Sequence, residues 1–469
     1  MRTATLTVAA AAFLTGCALA PAPSQDEVLT RALPADTRIP PTWKGAAGTG
    51  PVTDDWLKAL NDPQLTAIVA EAIANNLNLR VAAERVRAAQ ETVTVVGAQL
   101  LPHVGMGLGG RTIYDQDHSG HADAAKALAS ASWELDVWGK LRAQRAAAEA
   151  AYEATALDDA WARESLAATV AKTWYLATET RQLLALSEQA VGVYRELLKL
   201  VKVRRAAGKD TDLNVAEEQA NVDSALSSVE AARESYGDVR RTLEVLLGRY
   251  PAAEIEAAST YAPDPPPIAA GLPAALLQRR PDVVAAERQV VAAFRKTEAA
   301  ELALLPDFSM ELAGGRLSDP LLLLLRLNPW LATAAIGAAI PVYEGGALRA
   351  QVQIATAQQA EAVARYGSVV LAAFREVETA LANDQLLAKR VPLDESSLRS
   401  RTDAVRIATE QYLAGNKDLL WVSKLQTDQI RSQGDLIKLR GLRHINRIAL
   451  LLALGGGFDA PPAAPGVTH

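Results

Sequence analysis

The chain has 469 residues, 49% of them hydrophobic and 22% charged, with a formal net charge of −6. That balance is too apolar for a disordered chain and lacks the basic excess of a nucleic-acid binder. A single cysteine, Cys17, excludes an internal disulfide framework.

The first predicted element is an export signal over residues 1–16, because Met1-Arg2 is followed by the apolar run Thr3 to Leu14. The run is shorter than the ~20 residues of a spanning helix. It ends in Leu14-Thr15-Gly16-Cys17, which resembles the bacterial lipobox, where cleavage precedes a cysteine that receives lipid. A lone thiol in an oxidising periplasm finds no disulfide partner in its own chain, so covalent lipid on Cys17 is the expected use. Resemblance to lipoproteins adds that Ala18, with no Asp after the cysteine, implies sorting to the outer membrane. Residues 17–53 are then a lipidated linker. No later apolar run reaches spanning length, since Arg326 ends the densest, Leu321 to Leu325. Any membrane crossing must use strands.

From residue 54 onward the sequence is written twice, as residues 54–248 and 272–458, with a Pro/Ala-rich connector at 249–271 and a tail at 459–469. At an offset of 207, Gly139-Lys-Leu-Arg-Ala falls on Gly346-Ala-Leu-Arg-Ala, Gly208 on Gly415, Leu213 on Leu420, Gln219 on Gln426 and Gly248 on Gly455. Nearer the start the offset is 203 to 204, where Ala82-Ala-Glu-Arg matches Ala285-Ala-Glu-Arg and Leu100-Leu-Pro matches Leu304-Leu-Pro. A period this long signals a duplicated domain and not a solenoid of short repeats.

Each half opens with a helix that ends at Leu-Leu-Pro. Asp62-Pro63 reads as its cap in the first half and Arg280-Pro281-Asp282 in the second. The period then changes to two. Val104, Met106 and Leu108 alternate with glycines, and Ala129, Ala131, Trp133, Leu135 and Val137 alternate with polar residues. Phe308, Met310 and Leu312, then Ala334 to Val342, repeat the pattern. One β-hairpin per half is predicted, about 103–138 and 307–343, with loops near Tyr114 to Ala127 and Arg316 to Pro329. The aromatics Tyr114, Trp133, Trp138, Phe308, Trp330 and Tyr343 sit near the strand ends.

After each hairpin a very long helix is predicted, Leu141 to Ala207 and Leu348 to Ala414, roughly 100 Å at 1.5 Å per residue. Leu183, Leu186, Ala190, Val193, Leu197 and Leu200 form a coiled-coil seam, and Val215, Val222, Val229 and Tyr236 recur every seven residues on a returning helix. Gly208 and Gly415 are thus hairpin tips. Pro392, inside the second long helix, predicts a break there.

Four strands cannot span a bilayer alone, because their edges would leave backbone groups unpaired in hydrocarbon. About eight strands give an interior that side chains fill, so a water-filled lumen needs a larger ring. Three copies would supply twelve, with the paired helices continuing the wall as an α-helical barrel. The expected fold is therefore mainly α with a membrane β-barrel: a duplicated helix, β-hairpin and long helical hairpin unit, trimeric, forming a 12-stranded barrel and a periplasmic helical barrel.

The segment Ser132-Trp-Glu-Leu-Asp-Val-Trp-Gly-Lys-Leu-Arg142 resembles the strand-to-helix junction of the outer membrane efflux lipoproteins, the TolC-like and OprM-like channels of NodT type. Leu272-Pro-Ala-Ala-Leu-Leu-Gln-Arg-Arg-Pro-Asp282, Tyr412-Leu-Ala-Gly415 and Leu452 to Phe458 extend the resemblance from about Asp54 to Phe458. It implies a homotrimeric, lipid-anchored exit duct in outer membrane lipid with a long periplasmic portion. Such a duct passively conducts small molecules from a periplasmic adaptor (membrane fusion) protein and an inner membrane pump of the RND type. The alternatives are a duct for secreted polypeptides and a structural coiled-coil lipoprotein.

The resemblance also implies a gate at the tip of the second hairpin, where family members commonly carry an aspartate at the position of Lys424, and some an acid at Trp421. Trp421 and Lys424 are the expected constriction, with Glu217, Asp418 or Asp428 as counter-charges, since three lysines on an axis repel. The alternative places Lys424 on a solvated helix face. Adaptor docking is expected at the tips, near Gly208, Asp212, Gly415 and Asp418. No catalytic constellation, metal site or cofactor is expected beyond the lipid on Cys17. His118 and His121 share a loop with Asp115, Asp117 and Asp123, which could hold a metal but reads better as an exposed polar loop, and no phosphate loop or nucleophile elbow occurs.

Overall fold

The computed structural model describes residues 19–45, 50, 52, 54, 56–114, 121–263, 268–318 and 330–457. Cys17, His118 and the hairpin loops at 115–120 and 319–329 lie outside them. The helices are α1 (Gln25–Ala32), α2 (Trp56–Ala59), α3 (Pro63–Asn75), α4 (Leu77–Ala98), α5 (Lys140–Ala206), α6 (Asp212–Leu246), α7 (Pro273–Arg279), α8 (Pro281–Leu302), α9 (Ala347–Leu413) and α10 (Leu419–Ala453). The strands are β1 (His103–Tyr114), β2 (His121–Leu135), β3 (Asp307–Ser318) and β4 (Trp330–Ala339). No described helix is long and apolar enough to cross a membrane.

The duplication is visible element by element. Helices α4 and α8 have 22 residues each, α5 and α9 have 67, and α6 and α10 have 35. The glycines that aligned in sequence share a left-handed backbone: φ is +71° at Gly208 and +81° at Gly415, +73° at Gly248 and +67° at Gly455. Each ends a helix with a hydrogen bond back over five residues, such as Lys209 N–H to Arg204 O and Asn416 N–H to Gln411 O, both 2.9 Å. Only glycine adopts that conformation without a Cβ penalty, so the repeat is held at its turns.

Four expectations need correction. The two proline caps do not open equivalent helices: Pro63 starts α3 and matches Pro273 of α7, while Pro281 matches Leu77. The first half breaks its helix at Asn76, whose side chain accepts from Asn78 N–H at 2.9 Å and donates to Leu246 O at 2.9 Å, so no proline is needed there. Strand β2 starts at His121, six residues before the loop was expected to end, and β4 ends at Ala339 just before Pro341, which has no N–H to give. Helix α9 runs through Pro392 without interruption. Leu387 and Val391, beside the proline, are buried against Leu439, and that packing holds the helix.

Contacts divide the chain into two compact units that each draw on both halves: Met1–Thr37, Ala83–Asp158 and Asp282–Val369 in the first, the remainder in the second. The first unit contains one antiparallel sheet in the order β1-β2-β3-β4. Its registers run His103↔Ser132 to Tyr114↔His121, Leu135↔Phe308 to Ala125↔Ser318, and Asp307↔Ala339 to Arg316↔Trp330. The junction motif supplies the turn into α5. Asp136 accepts from the N–H of Leu141 and of Arg142, each at 3.0 Å, and so caps the helix. Within this unit α1 crosses α9 closely, since a Cβ on Gly367 would sit 2.4 Å from Ala32 O.

In the second unit the core gathers Trp56, Leu60, Leu65, Trp174, Tyr175, Leu243, Leu247 and Ile448. Asp62 serves two purposes there, capping α3 at Leu65 N–H (3.0 Å) and accepting from Trp174 Nε1 (3.0 Å). The paired arginines close this unit. Arg279 bonds Asp54 and Gly455 O, while buried Arg280 bonds Glu376 at 2.8 Å and Ala453 O at 3.1 Å under the Trp161 ring. They tie α7 to the C-terminal end of α10. The coiled-coil seam lies slightly off its expected line: Leu186, Ala190 and Leu197 are buried, but Val193 is exposed and Val191, Tyr194, Leu198 and Val201 are inside. Helix α5 packs on two sides, against Val222, Ala225 and Val229 of α6 and against Ala408, Tyr412, Leu419 and Val422 of the second hairpin. A single stripe cannot serve both.

Candidate functional site

The sheet separates its chemistry by face. Register places Val104, Met106, Leu108, Ala127, Ala129, Ala131, Leu312, Ala332, Ala334 and Ile336 on one face. Val104, Met106, Leu108 and Ile336 are 74–77% exposed there. Trp330 and the exposed Arg316 opposite it lie at one end of this face, with Trp133 and Phe308 toward the other. The opposite face holds Gly105, Gly107, Gly109, Lys126, Ser130, Ser132, Glu134, Ser309, Glu311 and Thr333, with few large apolar side chains. One face suits hydrocarbon and the other water, the alternation of a membrane strand. Strands β1 and β4 are edges in the single chain.

The second candidate region is the pair of hairpin tips. Thr211 caps α6 by accepting from Asn214 N–H at 3.2 Å, and Arg205 pairs with Asp212 at 2.7 Å. Asp418 is the N-cap of α10 but makes no side-chain cap bond. Gly208 and Gly415 have open space around them, so another backbone can approach. Leu213 and Leu420, equivalent by the repeat, are 73% and 60% exposed just behind the tips.

Of the expected gate residues, Trp421 is half-exposed with Lys417 Nζ 5.5 Å from its ring centroid. Lys424 is exposed and pairs with Asp428 on its own helix at 3.5 Å. Asp428 is thus the counter-charge within one chain. Glu217 is exposed and is not brought to Lys424. Its neighbour Glu218 turns inward instead, fully buried beside Ser423 and Asn221. No hydrogen bond of ordinary geometry reaches either of its oxygens among the described residues. Burial, more than Glu217 beside it, pushes the Glu218 carboxyl up.

The sequence reading missed the contacts that join the two hairpins. Tyr412 donates to Asp210 at 2.5 Å, and Arg204 lies 4.4 Å over the Tyr412 ring and 3.8 Å from the same carboxylate. Asn214 also donates to Asp210. Burial opposes charge on Asp210, but the Tyr412 hydroxyl, Asn214, the Thr211 N–H and Arg204 together hold its carboxyl below the aspartate range. Higher up, Asn221 donates to Ser423 at 3.0 Å, and the Tyr194 and Thr427 hydroxyls are 2.9 Å apart. The available signal was Tyr412, three residues before the tip glycine and too large for a turn flank. The described residues contain no cluster able to hold a metal ion.

A family model described as outer membrane efflux protein matches residues 68–249 and 272–456, the two halves of the duplication. The pyoverdine export outer membrane protein OpmQ of Pseudomonas putida is 30% identical over 418 residues, 86% of this chain and 88% of that one. The toluene efflux pump outer membrane protein TtgC of Pseudomonas putida is 28% identical over 97% of this chain and 95% of its own. The open-state MtrE outer membrane channel of Neisseria gonorrhoeae superposes with a TM-score of 0.80 at 22% identity, covering 94% of this chain and 99% of that channel.

Proposed function

This chain belongs to the outer membrane efflux protein family, and from that premise we propose that three copies assemble into a passive exit duct for small molecules. The observation that carries the reading is the four-stranded sheet with one apolar exposed face and two unpaired edges. Three such sheets joined edge to edge close a barrel of about twelve strands, the size class that keeps water inside. Relatives named for pyoverdine export and toluene efflux support a small organic cargo.

In this reading Cys17 carries the lipid that anchors the N-terminus in the outer membrane. The tips around Gly208, Asp212, Gly415 and Asp418 meet a periplasmic adaptor, which couples the duct to an inner membrane pump of the RND type. Trp421 and Lys424 narrow the closed end, with Glu217 at its rim. The Asp210, Arg204 and Tyr412 contacts latch the second hairpin to the first, so opening must break them.

The test is planar bilayer recording of the purified, lipidated protein together with its mass in detergent. Stepwise ion currents from a species of three chains are expected. A monomer that leaves bilayers intact would remove the reading.

A further inference from the structure

We propose that Glu311, together with a Glu134–Lys140–Asp307 cluster, makes the barrel lumen prefer cations, so that charge selection in this duct resides in the strands. This rests on the channel reading above. The apolar face of the sheet must meet lipid, so the opposite face lines the water. On that opposite face Glu311 stands across from Ser132 on β2 and Ala335 on β4, one pair from Glu134 and Ser309.

Lys140 lies between two acids, 2.7 Å from Glu134 and 2.8 Å from Asp307. It can neutralise one of them. Glu311 is exposed and makes no ion pair among the described residues. Three acids against one lysine leave two negative charges per chain at the end of the sheet that adjoins the helices. The next described charge on this face is Lys126, six residues further along β2. At about 3.4 Å per residue that is roughly 20 Å away, two Debye lengths at 0.1 M salt. The acidic girdle and the lysine therefore act as separate zones. At the hairpin tips Lys424 is paired with Asp428 and Glu217 is a second source of negative charge, so the variants of Glu311 are what separate the strands from the tips.

The experiment is the reversal potential of single channels in a KCl gradient with the dilute side near 0.1 M, where the Debye length is about 10 Å and Lys126 is screened from Glu311. Wild type is expected to pass potassium in preference to chloride, less so as salt rises. Glu311→Gln should lower that excess by about half, since one of two net charges per chain is removed. Glu311→Lys should abolish or invert it. Open-channel currents whose reversal potential is unmoved by Glu311→Gln, or a wild-type preference for chloride, would overturn the assignment. Failure of wild type to form pores overturns the channel reading and this assignment with it.

Discussion

At the residue scale the most consequential group is Asp210, an almost buried carboxylate that joins three side chains from two hairpins. Removing the Tyr412 hydroxyl leaves one of its acceptors without a donor. A hydrogen bond to a charged group contributes about 1.5–3 kcal/mol. Tyr412→Phe is therefore expected to raise the open fraction of single-channel recordings by roughly tenfold or more, whereas an unchanged leak would show that the latch lies elsewhere. Glu218 gives a separate, pH-dependent prediction. Its pKa is raised while the hairpins are packed and returns to the ordinary glutamate range when they part, so the packed state binds the proton more tightly. Packing is thus weakened as pH rises through the ordinary glutamate range, and the penalty levels off above the raised value. Acidification should lower protease cutting at the tips, and Glu218→Gln should flatten that pH profile. A profile as steep in the variant as in wild type would assign the titration to another group. None of this was legible beforehand. Glu217 and Glu218 are adjacent acids on one helix, and only the packing of α6 on α10 decides which of them loses its water.

At the scale of elements, the turns were readable and the seams less so. Gly208, Gly248, Gly415 and Gly455 mark helix ends by a local conformational demand that needs no partner. The coiled-coil stripe gave the right helices but a displaced set of buried residues, because α5 is shared between two packing faces. Pro392 illustrates the converse. Local chemistry argues for a break, yet buried Leu387 and Val391 keep α9 continuous. The missing backbone bond and the ring's clash with the preceding turn cost about 3 kcal/mol. Pro392→Ala should consequently slow hydrogen exchange of amides in the turns around Ala388, and exchange as fast as in wild type would mean the proline is fully accommodated. The Arg-Arg-Pro-Asp segment proved to be a structural staple between α7 and the end of α10. It explains the motif without assigning it a role in transport.

At the scale of the whole molecule, the two faces of the sheet differ in the solvent they tolerate. Leu108→Arg places a charge on the apolar face midway along β1, at a cost of about 2–4 kcal/mol per chain near a bilayer midplane. Ser130→Arg places the same charge on the polar face of β2, where water is available. The first should sharply reduce assembled protein recovered from outer membranes and the second should not. Equal recovery of both would reverse or abolish the assigned inside and outside. The sequence by itself determined the duplication, the order of helix, hairpin and helical hairpin in each half, the glycine turns that end the long helices and the alternation of faces along the strands. Periodicity and turn chemistry are local and survive in a linear text. Which hairpin touches which, which acid is buried and how the arginine pair closes the fold were decided only in three dimensions. Those contacts join residues about 200 positions apart in sequence, such as Asn221 and Ser423, and desolvation exists only once such partners have met.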